Sequence, residues 1–90
     1  MVYNVYAIRD VRVGFMSPIL DKTDESAARN FASAVMRGEG LFADFSRDFD
    51  LYRIGTFDEA TGHMTPLDVK TLIISGSSIM QKGDESLDEV

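Results

Sequence analysis

Ninety residues carrying a formal charge of -6 make one domain, because single cores usually occupy about 100 to 200 residues; the acidity excludes broad electrostatic attraction to nucleic acid or anionic membranes. The absence of cysteine excludes disulfides, thiolate metal sites and cysteine nucleophiles, and suits a reducing cytoplasm. No stretch approaches the roughly 18 apolar residues of a membrane span, and MVYNVYAIRD lacks the basic and apolar regions of an export signal, so a soluble protein is expected.

The first element is VYNVYAIR, rich in valine, isoleucine and tyrosine. Alternation predicts a strand with Tyr3, Val5, Ala7 and Arg9 on one face and Val2, Asn4, Tyr6 and Ile8 on the other. Arg9-Asp10 reads as a polar link to a second extended segment, VRVGFMSPIL, in which Val11, Val13 and Phe15 alternate until Pro18, whose missing N–H suits a strand end or edge. DKTDESAARNFASAVMR carries the strongest helix signal. Thr23 can cap, Asp24 and Glu25 sit where the first turn favours acids, Arg37 lies near the C-terminus and Gly38 can stop the helix. Ala27, Ala28, Phe31, Ala34 and Val35 share a face, small except for Phe31, that lets the helix approach a sheet closely.

Leu41, Phe42, Phe45 and Phe49 follow a glycine-rich break at spacings that suit a short helical turn. DLYRIGTF reads as a strand. HMTPLDVKTLIIS offers one or two more, interrupted by Pro66 and strongest over Val69 to Ile74. These elements predict an α+β fold: a small, mostly antiparallel sheet of three to five strands with one main helix, about residues 23–37, packed on one face. The domain is expected to span residues 1–76. Residues 77–90 read as an acidic, flexible tail in which Ile79 and Met80 can still dock. Asp84, Glu85, Asp88 and Glu89 against Lys82 give this tail half of the excess charge.

Between the last two strand-like runs lies DEATG. Asp58 can bond the backbone two residues on and Gly62 can adopt the positive φ of a bulged hairpin turn. The rival reading gathers Asp58, Glu59 and His63 around a divalent metal. Their spacing matches no recognised ligand pattern, so no metal and no cofactor are expected. The chain also offers no nucleophile elbow, no phosphate-cradling glycine loop and no paired metal-binding histidines, and no catalytic residue is assigned. A nonenzymatic protein is expected.

Binding to single-stranded nucleic acid needs rings on which bases stack and cations that follow the phosphates. Tyr3, Tyr6, Arg9, Arg12, Tyr52 and Arg53 can supply both if their strands are neighbours. The competing reading has the tyrosines spanning a small core and the arginines lying along the sheet. A chain this short buries only about 60 to 65 % of its extended surface, so association helps it, and a homodimer that doubles the strip is expected.

YNVYAIRD, VGFMSPILD, AARNFASAVM and DFDLYRIGTFDEATG occur in that order over roughly residues 2–66. This series resembles the small nonstructural protein of gokushovirus-type microviruses, phages with single-stranded circular DNA, and the most specific part is D-F-D-L-Y-x-I-G-x-F-D-x-x-T-G. Members are similar to the small protein C of the phiX-type phages. The resemblance implies a nonstructural accessory in the host bacterial cytoplasm that acts in viral single-stranded DNA synthesis or genome packaging by touching DNA, a replication protein or a procapsid. It supplies no catalytic residue. The alternative is an acidic protein-interaction module that binds a viral or host protein without contacting DNA.

Overall fold

The computed structural model describes residues 1–38 and 42–79. Its centre is β1, Val2–Asp10. On one side β1 pairs antiparallel with β4, Phe49–Asp58. On the other it pairs with two short strands, β2 (Gly14–Phe15) and β3 (Ile19–Asp21). The last strand, β5 (His63–Ser75), adds to the far side of β4, giving the order β2-β1-β4-β5 with β3 also on β1. A curled antiparallel sheet of five strands with one main helix is the α+β architecture expected from the periodicities.

Arg9 and Asp10 are not a link. They complete β1, paired with Asp50 and Phe49, and the reversal falls on Val11, Arg12 and Val13, read above as the start of the second extended segment. Asp10 closes that turn: its carbonyl accepts from the Val13 N–H at 3.1 Å and its Oδ1 from the Arg12 N–H at 2.9 Å. Gly14, at φ 126°, then takes a backbone conformation that a side chain rarely adopts. Pro18, having no N–H to give a ladder, falls where the edge breaks between β2 and β3.

Helix α1, Asp24–Arg37, has the termini its sequence signals. Thr23 Oγ1 accepts from the Ser26 N–H at 3.1 Å, and Gly38 closes the other end at φ 64° with its N–H on the Val35 carbonyl, each satisfying a backbone group the helix leaves unpaired. Its buried face is Ala27, Phe31 and Val35. A four-residue helix α2, Phe42–Phe45, and a 3₁₀ turn, Ser46–Asp48, lead into β4. Phe42 stands edge-on to Phe31 and to Phe49, with ring centroids 6.0 and 5.0 Å apart, tying helix to sheet through aromatic packing.

The core comprises Tyr6, Ala27, Phe31, Val35, Phe49, Leu51 and Ile79. Ile79, placed beyond the end of the domain by its polar surroundings, packs there with the partly buried Ile73 and Ile74 of β5. Gly76 makes this return possible. A Cβ on it would fall on the Ser46 carbonyl and within 2.7 Å of that of Phe49. Met80 and the rest of the acidic segment, residues 80–90, lie outside the described residues.

β4 and β5 form the expected hairpin. Gly62, at φ 75°, gives its N–H to the Asp58 carbonyl at 2.7 Å, and Asp58 Oδ1 accepts from the Ala60 N–H. β5 runs through Pro66 as one strand because the proline lies on the sheet's edge and the register shifts past it, from Gly55↔Pro66 to Arg53↔Thr71. Against β1, β4 carries one extra residue, Ile54. Such irregularities sharpen the local bend of a sheet.

Candidate nucleic-acid interface

Alternation along β1, with the pairings to β4, divides five of the six candidate residues between two faces. Tyr6 and Arg53 are cross-strand partners on the helix side. Tyr6 is fully buried, and its hydroxyl donates to Asp24 Oδ1 at 2.6 Å while accepting from the Asn4 amide at 3.1 Å. Arg53 Nη1 donates to Asp24 Oδ2 at 2.8 Å. Burial, and then the bond to Asp24, push the Tyr6 phenol up to about 12. These two residues anchor the first turn of α1 to the sheet. Tyr6 has no ring face on which a base can stack, and Arg53 already meets a carboxylate.

On the opposite face, alternation places Tyr3, Val5, Ala7 and Arg9 of β1, and Tyr52 of β4 opposite Ala7. No helix among the described residues covers this side, yet Val5 and Ala7 are buried, because the sheet curls over them. Phe15 of β2 is the cross-strand partner of Arg9 and stands edge-on to Tyr52, centroids 5.7 Å apart. Lys70 Nζ of β5 lies 6.0 Å from the Phe15 ring, joining the two ends of the strand order. The result is a concave face with a ring pair, Phe15 exposed and Tyr52 half-buried, and two flanking cations, Arg9 and Lys70. Tyr3, at the far end opposite Phe57, is less suited to a polyanion. The charge of Glu59, with some burial and a hydrogen bond, raises its phenol pKa.

Arg12 belongs to a third place. On the exposed β1–β2 turn, its Nε lies 3.4 Å from Asp48 Oδ2 and its guanidinium 6.0 Å from the centroid of Phe45. A notch of about 180 Å³ opens here, lined by Asp10, Arg12, Val13, Phe45, Asp48 and Phe49.

Asp58 and Glu59, weighed as metal ligands, serve the turn and the terminus: Glu59 Oε1 lies 3.2 Å from the Met1 ammonium. His63 is exposed at the start of β5. Among the described residues no three His, Asp or Glu side chains come together as a metal site would require.

The sequence model of the family described as Phage ORF5 protein matches residues 3–79. The chain belongs to that family. The match ends on Ile79, which is also a core residue, so the Phage ORF5 region takes in every core residue among those described. It is thus a phage protein, and no helix among its described residues is long and apolar enough to cross a membrane. No curated protein and no solved structure matches this Phage ORF5 protein.

Phe15 and Lys70 are the members of the concave face that sequence reasoning missed. Phe15 reads in the sequence only as the last of the alternating Val11, Val13 and Phe15 of the second extended segment. The signal that finds it is its pairing with Arg9, which requires the turn at 11–13 to be recognised.

Proposed function

We propose that this phage accessory protein acts in viral single-stranded DNA synthesis or genome packaging in the host cytoplasm, binding single strands weakly, as a dimer, through the concave face of its sheet. The observation that carries this reading is the Phe15–Tyr52 ring pair flanked by Arg9 and Lys70 on a face that no helix among the described residues covers. Rings supply sequence-tolerant stacking and cations follow the phosphates; two copies double a site too small to hold a strand alone.

Titration of a labelled single-stranded oligonucleotide at low and moderate salt tests it. Tyr52→Ala should weaken binding by about tenfold, the usual loss of one stacking position. Arg9→Ala with Lys70→Ala should lower both affinity and its salt slope. If all three substitutions leave the titration unchanged, the concave face is not the DNA site. Sedimentation across a concentration series tests the dimer separately.

A second reading is favoured by Asp50, directly opposite Arg9, and by Glu59 beside Tyr3, which interrupt the positive strip. On that reading the protein is an acidic interaction module for a basic viral or host protein. Capture of the same partner with and without nuclease, by a chain that ignores pure DNA, would favour it.

A further inference from the structure

We infer that the notch at the β1–β2 turn is a nucleobase slot that favours bases carrying an exocyclic amine, cytosine above all, over those that carry a carbonyl there. This rests on the single-stranded DNA reading and adds to it a second contact point and a base preference.

The walls set the ligand class. Phe45 is exposed on one side. Facing it, the Arg12 guanidinium carbon lies 6.0 Å from the ring centroid, beyond the roughly 3.5 to 4 Å of two groups in contact. A planar base inserted between them needs two such contacts, roughly 7 Å, so the gap lacks only about 1 Å. Arg12 can supply that movement, because its side chain is 73 % exposed and its Nε–Asp48 contact is long, at 3.4 Å. Aromatic rings and guanidinium planes are the two surfaces on which proteins stack unpaired bases.

Acceptors at the edge of the notch set the preference. Asp10 and Asp48 both line it, and Asp10 is held in place because its Oδ1 accepts the Arg12 N–H. Carboxylates accept hydrogen bonds and cannot donate them, so they favour the cytosine N4 amine and are repelled by the O4 carbonyl that uracil and thymine have in its place. The same acids discourage a phosphate from entering. The base therefore goes in, and its backbone stays on the Arg9 side of the turn.

Oligo-dC and oligo-dU, alike in size and backbone and different only along the N3–C4 edge, where cytosine offers the N4 amine and uracil the O4 carbonyl beside an N3–H, provide the direct comparison. The unaltered protein should bind oligo-dC about tenfold more tightly, as one carboxylate-to-amine contact gives. Asp48→Asn and Phe45→Ala should each shrink this ratio while the Tyr52-dependent affinity for oligo-dU persists. Equal binding of the two oligomers by the unaltered chain overturns the slot and leaves the concave face standing. A preference that survives both substitutions also overturns it, as its source then lies elsewhere. Failure to bind either oligomer sinks the slot together with the DNA reading. If one variant fails to fold, the other still locates the source of the preference.

Discussion

Asp24 illustrates how one side chain can fix the identity of its neighbours. It is the first residue of α1, where the helix dipole favours an acid, and it accepts from both Tyr6 and Arg53. Tyr6→Phe removes the shorter of the two bonds. It should destabilise the fold by about 1.5 to 3 kcal/mol, the range for a hydrogen bond to a charged group, seen as a lower urea midpoint. The pH response has a definite sign. Because folding raises the Tyr6 phenol from 10.0 to about 12, its contribution is complete below pH 10 and is lost as pH climbs from there through about 12. Tyr6→Phe should flatten that alkaline decline, measured by denaturation at successive pH values; an unchanged slope would show that Tyr6 does not couple ionisation to folding. None of this was legible locally. Tyrosine and arginine suit a wet strand as well as a core edge, and the carboxylate that decides between them is 18 residues from Tyr6 and 29 from Arg53.

At the level of elements, the parts read correctly from sequence are those set by near neighbours. The Thr23 cap, the Gly38 stop and the Gly62 turn each rest on groups within four residues. The parts misread depend on partners far away: whether Arg9 and Asp10 end a strand or link two is decided by Phe49 and Asp50. Two glycines show how closely the elements meet. A Cβ on Gly55 would lie 2.6 Å from the Thr65 carbonyl. Gly55→Ala must therefore push β5 away from β4, at a cost of about 1 to 3 kcal/mol, as for other overpacked sites. Gly76→Ala should cost more, since the Cβ there meets two backbone carbonyls that cannot swing aside. Thermal unfolding of both variants beside Gly62→Ala, where space is open and only the positive φ is strained, separates crowding from backbone conformation. If all three lose the same stability, crowding is not the cause.

For the molecule as a whole, charge is distributed unevenly along the chain. The family match and the core both reach Ile79, while Asp84, Glu85, Asp88 and Glu89 follow it. Removing residues 82–90 takes away half of the net charge. If those acids compete with DNA for Arg9 and Lys70, the shortened chain should bind single strands more tightly at low salt, and the gain should fade once added salt screens charges beyond about 10 Å. Equal affinity at low salt would leave the acidic segment without a competitive role. The central place of β1 has one more consequence, in time rather than space. Val5, Tyr6 and Ala7, the most completely buried run among the described residues, leave the ribosome well before their ladder partner β4, which begins only at Phe49. Long-range strand pairing cannot start until both strands exist, so each newly made copy carries an unpaired apolar strand until β4 has followed. During a burst of phage expression that strand is a target for the host's chaperones and for other unfinished copies, and it is the emergence of β4 that ends the exposure.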